Sequence, residues 1–123
     1  MIILDSSALI ELLDGSSKGK NVQQAIANEV AGITTLTIHE VGVGMKQEQS
    51  SEFRTFLSRF TILPFDADSS LESIRIEQHL TKTGKMIGRF DILIAGICLA
   101  QHAIMCSFDK DFQKIPGLQM AKV

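Results

Sequence analysis

The chain has 123 residues, of which 14 are Asp or Glu and 12 are Lys or Arg, giving a formal charge of −2, with 45% hydrophobic and 21% charged residues. That length is close to the modal size of one domain, and the composition is that of a packed globule, which excludes an intrinsically disordered chain and a nucleic-acid binder held by a large basic face. The longest apolar stretches, such as Ile92 to Ala100, are far shorter than the ~20 residues of a membrane-spanning helix, and Met1-Ile2-Ile3-Leu4-Asp5 lacks the basic region of a secretory signal, so a cytoplasmic protein with no membrane contact, folded as one unit over residues 1–123, is expected.

Met1 to Leu4 is a short β-branched run that ends at Asp5. Ser6-Ser7 then opens the pattern Ala8, Leu9, Leu12, Leu13, whose spacing predicts a helix. Asp14 to Lys20 is rich in glycine, serine and charge, lacks an apolar anchor, and reads as a flexible connection before a second helix around Asn21 to Asn28. Ala31 to Thr34 reads as a second strand, and Thr37 starts a helix carrying Ile38, Val41 and Met45, with Gly42 and Gly44 each weakening it by about 1 kcal/mol relative to alanine. Phe53, Phe56, Leu57 and Phe60 stand at i, i+3, i+4 and i+7, the strongest amphipathic signal in the chain and most simply core packing.

Thr61 to Leu63 reads as a third strand closed by Pro64, and Ser69 with Glu72 matches a capping box for a helix that fades near Gly84. Ile92 to Ala100 is apolar on every side, which predicts a central, buried helix with Asp91 at its amino-terminal edge. Ile104 to Ser107 is a fourth strand ending near Asp109, and Leu118 to Val123 is a candidate fifth after the turn at Pro116-Gly117. Cys98 and Cys106 lie in apolar surroundings without the spacing of a zinc site and read as buried thiols. Alternating strands and helices imply a mostly parallel sheet of four to five strands with helices on both faces, whose ligands sit beyond the carboxyl ends of the strands.

That rule draws Asp5, Glu40 and Asp109 to one edge, and helix geometry can bring Asp91 beside them. Two unit charges ~4 Å apart repel by about 4 kcal/mol at an effective dielectric of ~20, so such a cluster calls for a cation. Hard oxygen ligands without neighbouring His or Cys favour Mg²⁺ or Mn²⁺ over zinc. Setting these four acids aside leaves 14 − 4 = 10 acids against 12 cationic groups, so the remaining surface is mildly basic. Lys82, Lys85 and Arg89 approach Asp91 in sequence, and Lys110 and Lys114 flank Asp109, where they can meet a phosphate backbone or merely solvate a face. Each acid also has a structural alternative. Asp5 and Asp91 can cap helices, Glu40 can form a capping box with Thr37, and Asp109 and Asp111 can close a turn before Phe112.

As a set, Ile3-Leu4-Asp5-Ser6-Ser7-Ala8-Leu9, Thr37-Ile38-His39-Glu40-Val41 with Gly44, Asp91-Ile92-Leu93-Ile94-Ala95, and Ser107-Phe108-Asp109-Lys110-Asp111-Phe112 with Ile115-Pro116-Gly117-Leu118 resemble the successive motifs of PIN domains, above all the VapC-type toxins of prokaryotic toxin–antitoxin pairs. The resemblance implies a three-layer α/β/α sandwich and a metal-dependent endoribonuclease. By position it makes Asp5, Glu40, Asp91 and Asp109 the acids that hold Mg²⁺ or Mn²⁺, Ser7 a supporting hydroxyl beside Asp5, and Asp111 a further neighbour. It also implies an RNA substrate, a small antitoxin partner and a homodimer. Ser107 stands where the family often has threonine, and Gly96 where it usually has alanine. Of the three histidines only His39, beside Glu40, is a candidate helper, and no aromatic stacking platform is visible in the sequence. Two rivals remain: a non-catalytic PIN-like scaffold that binds RNA or protein, and a phosphoacceptor receiver domain, which needs an acidic pair after the first strand that Asp5-Ser6-Ser7 lacks.

Overall fold

A computed structural model describes residues 1–123. Five strands, β1 (Ile2–Leu4), β2 (Ala31–Thr34), β3 (Thr61–Leu63), β4 (Ile104–Cys106) and β5 (Gln119–Met120), form one sheet in the order β3-β2-β1-β4-β5, and every neighbouring pair is parallel. The chain builds outward from β1 to β2 and β3, then returns to add β4 on the other side of β1. The strand order therefore reverses at β1, and a crevice opens there at the carboxyl edge. Register places Leu4 opposite both Ile33 and Cys106, so the residues that leave β1 and β4 emerge side by side.

Six helices cover the two faces: α1 (Ser6–Asp14), α2 (Ser17–Ile26), α3 (Thr35–Val43), α4 (Ser50–Leu57), α5 (Ala67–Thr83) and α6 (Arg89–Ala100). Side chains alternate across a strand, and the core divides accordingly. Ile3 and Met105 pack with Ile76, Leu80, Ile94 and Ile97 under α5 and α6. Ile2, Leu4 and Cys106 face Ala8 and Val22 of α1 and α2, while Leu9, Ile33, Val41 and Phe53 join α1 to α3 and α4. This is a three-layer α/β/α arrangement with an all-parallel sheet. The longest helix has 17 residues, and no helix is long and apolar enough to cross a membrane.

Cys98 and Cys106 are free and buried, and burial pushes their thiols up to about 12 and about 11. Both are inert as nucleophiles at neutral pH, since the reactive form is the thiolate.

Several boundaries differ from the sequence expectation because caps decide them. Asp14 to Lys20 is not a flexible connection: Gly15 closes α1 at φ +65°, and Ser16 caps α2 by accepting from the Gly19 backbone N–H at 3.0 Å. The serines and glycines there are helix-end chemistry. α3 begins at Thr35, capped by Thr34, whose Oγ1 accepts from Thr37 N–H at 3.1 Å. Thr37 is thus inside the helix and the Thr37–Glu40 capping box does not form. α5 begins at Ala67 under an Asp66 cap that accepts from Ser69 N–H at 2.9 Å, which displaces the expected Ser69–Glu72 box.

α5 and α6 pack in close interhelical contact. A Cβ placed on Gly96 would stand 2.7 Å from the Ser69 carbonyl oxygen and 2.9 Å from Ser73 Cβ. Gly96 therefore lets the two helices approach to a distance that alanine would not allow.

Candidate active site

Asp5 leaves β1 with only 5% of its surface exposed. Its Oδ1 accepts from the Ser7 hydroxyl at 2.7 Å and from the Ala8 backbone N–H at 3.0 Å, which caps α1, and its Oδ2 accepts from the Ser107 hydroxyl at 2.6 Å. The capping alternative and a site position are thus compatible for this residue. Burial raises the Asp5 carboxyl above the usual carboxylate range, opposed by the hydrogen bonds from Ser107, Ala8 and Ser7. The two serines continue outward. Ser7 Oγ accepts from the Phe108 backbone N–H at 3.0 Å, and Ser107 Oγ accepts from the Asp109 backbone N–H at 2.9 Å. Asp5 is thereby the hub that fastens the loop after β4 to the end of β1.

Held in this way, Asp109 caps a 3-10 turn over Lys110–Lys114, its Oδ1 accepting from Asp111 N–H at 2.9 Å. That turn swings Asp111 to the same side as Asp109. Asp91, in the first turn of α6, meets both: one carboxylate oxygen from each of Asp91, Asp109 and Asp111 lies within 4.8 Å of the other two. Gly88, not Asp91, occupies the α6 cap position. The Asp91 carboxyl is raised to about 6, first by burial and then by the charges of Asp109, Glu40, Asp5 and Asp111, with nothing acting to lower it.

Glu40 stands in the second turn of α3, exposed, with Oε1 accepting from the Ser6 hydroxyl at 2.8 Å. Glu40 and Asp5 both contribute field at Asp91, yet neither belongs to the trio within 4.8 Å. All five acids singled out from the sequence lie around the one crevice, and the tightest grouping is Asp91, Asp109 and Asp111. The Ser6–Glu40 contact and the bridging place of Ser107 had no sequence signal beyond hydroxyls adjacent to acids. His39 is exposed and its ring lies against Phe90, with centroids 6.4 Å apart. Among the cations, Arg89 is taken up by Glu77 at 3.0 and 3.1 Å, and Lys114 pairs with Asp111 at 3.1 Å.

The family profile of the PIN domain matches residues 2–118. The chain belongs to the PIN domain family. Among relatives, this PIN domain is 30% identical to ribonuclease VapC of Rickettsia bellii, across 99% of this chain and 96% of that one. It is 28% identical to ribonuclease VapC2 of Rickettsia felis, over 80% and 78% of the two chains. A solved structure, VapBC2 of Rickettsia felis bound to a DNA fragment from its promoter, superposes with a TM-score of 0.83 at 26% identity, covering 98% of this chain and 97% of that one.

The PIN-domain site fits a divalent metal by its donor chemistry. It offers only hard carboxylate oxygens, and a single cation, Lys114, offsets the trio. Burial and then repulsion raise Asp91 with no donor to relieve it, and the repulsion is what a bound dication would cancel.

Proposed function

We propose that this PIN domain is a metal-dependent endoribonuclease, the toxin of a VapBC-type toxin–antitoxin pair acting in the cytoplasm. The convergence of Asp91, Asp109 and Asp111 within 4.8 Å carries the reading, and the ribonuclease names of its relatives support it. In this reading Asp5, Glu40, Asp91 and Asp109 hold Mg²⁺ or Mn²⁺, with Asp111 as an additional donor. When bound, such an ion orients and activates water and stabilises charge on the leaving oxygen of a phosphodiester.

The chain's own contribution is positional. Ser7 and Ser107 fix the Asp5 carboxylate and hold the Asp109 backbone against it, Ser6 steadies Glu40, and the α6 backbone fixes Asp91. An unpaired strand fits better than a duplex, because its splayed nucleotides can bring a phosphate to Asp91 and Asp5, which are half-buried and buried. The products carry 5′-phosphate and 3′-hydroxyl ends.

The antitoxin reading has support beside the site. An apolar groove lined by Ile10, Leu13, Val41, Met45 and Phe53 reaches Glu40 and carries Asp14 and Glu52, which suits a partner segment combining apolar and basic side chains. A homodimer is part of the same reading, and Leu71 and Ile74, apolar and exposed on α5, support it.

The test is incubation of mixed RNA with wild type and with Asp91→Asn, with and without Mn²⁺. Cleavage by wild type alone, abolished by chelator, is expected. Undiminished cleavage by the variant would overturn the assignment, and Mg²⁺ binding by calorimetry without cleavage would favour a non-catalytic scaffold.

A further inference from the structure

The chain contains seven phenylalanines and no tryptophan or tyrosine. Six of the seven, Phe53, Phe56, Phe60, Phe65, Phe108 and Phe112, belong to or pack against a core cluster. Phe90 belongs to none and is 37% exposed. It precedes Asp91 directly, and its ring lies 6.4 Å from that of His39, tilted by 58°, with His39 in turn preceding Glu40. Two rings from two helices, each adjacent in sequence to one of the acids, thus meet at a tilt. Neither joins a core cluster, and the exposed part of the Phe90 ring forgoes burial that a core position would give.

We infer that Phe90, with His39 beside it, is the stacking site for an unpaired base of the RNA substrate, next to the phosphate presented to the acids. The inference rests on the ribonuclease reading of the site and adds to it a substrate-positioning element. Nucleobases stack on aromatic faces whatever their identity, so the pair would discriminate single-stranded from duplex RNA more than one sequence from another. Asp91 and Glu40 are the next residues along the chain after the two rings, so a strand stacked here passes over the helix turns that carry them.

The absence of native tryptophan supplies the test. Phe90→Trp introduces a sole indole, and its emission is expected to be quenched by a cleavage-resistant phosphorothioate oligoribonucleotide in Mg²⁺. An abasic strand of equal length and charge should leave it unchanged. Val30→Trp, exposed before β2 at the opposite edge of the sheet, is the control and stays silent with both strands. In parallel, Phe90→Ala is expected to raise KM for single-stranded RNA by about 5- to 100-fold with little change in kcat, and Phe90→Tyr to restore it. An unchanged KM in Phe90→Ala, or equal responses of Phe90→Trp to the two strands, would overturn the stacking site while wild-type cleavage leaves the ribonuclease reading in place. Failure of wild type to cut any RNA with Mn²⁺ would remove the ribonuclease reading and the stacking site with it.

Discussion

The end of β1 and the first turn of α6 both carry an aspartate toward the same crevice, but they are built in opposite ways. Asp5 is buried and surrounded by donors, with two hydroxyls and a backbone N–H on its oxygens. Asp91 is half-buried and surrounded by acids, and no hydrogen bond offsets its desolvation. Asp5 is thus part of what closes the fold, whereas Asp91 is tolerated by it. Under the proposed function, one carboxylate serves structure and chemistry together, and the other only chemistry.

The largest effect should be shared by both positions. Asp5→Asn and Asp91→Asn are each expected to lower metal-dependent RNA cleavage by roughly 10²- to 10³-fold, measured as initial rates on single-stranded RNA. Stability should then separate them. Asp5→Ala leaves the Ser7 and Ser107 hydroxyls and the Ala8 N–H without their acceptor, and thermal or urea unfolding should show a loss of about 2–4 kcal/mol. Asp91→Ala should show no comparable loss. If the two alanine variants unfold alike, the contrast between the two aspartates fails.

How much of this contrast was legible in the sequence depends on what sets each position. Asp5 and Asp109 were legible because Asp5 directly follows β1 and Asp109 comes three residues after the end of β4, and a parallel sheet delivers such residues to one edge. A helix starting at Thr37 would hold Glu40 in its first turn, but the Thr34 cap starts α3 at Thr35 and moves Glu40 to the second turn. The place of Asp111 in the trio depends on a 3-10 turn that spacing does not announce. Ser107 looked like a minor departure from threonine, and its part in joining Asp5 to the Asp109 backbone becomes visible only when β4 lies beside β1. Gly96 stands in the sequence only as a departure from the family's usual alanine, whereas its missing side chain is what lets α5 approach α6.

That helix contact gives a sharper measure of the α6 region. Gly96→Ala would drive a methyl group into the Ser69 carbonyl, and a loss of about 1–3 kcal/mol is expected in equilibrium unfolding. Since α6 carries Asp91, cleavage should fall as well, and an unperturbed variant would show the α5–α6 interface to be more yielding than its geometry implies.

The smallest effect concerns pH. The folded-state value of Asp91, raised to about 6, exceeds its ordinary value of 3.8, so the metal-free folded protein holds a proton that the unfolded chain releases in that interval. Metal-free stability should therefore be greatest at the acid end and fall as pH rises from about 4 through about 6. Asp91→Asn should flatten this decline and stabilise the metal-free protein near neutrality by on the order of 1 kcal/mol, discounted because the group is half open to solvent. Melting curves in chelator at pH 5 and pH 7.5 test the sign. A wild type that gains stability on going to pH 7.5 would contradict it.

The pairing of β1 with β4 has a consequence for how the protein comes into being. The acids run from residue 5 to residue 111, and the Asp5 anchor is complete only when Ser107 reaches it. During translation, the first acid to leave the ribosome must wait for more than 100 further residues before Ser107, Asp109 and Asp111 arrive. A product truncated anywhere before Cys106 lacks the strand that seats half the crevice, so it should be harmless to the cell that makes it.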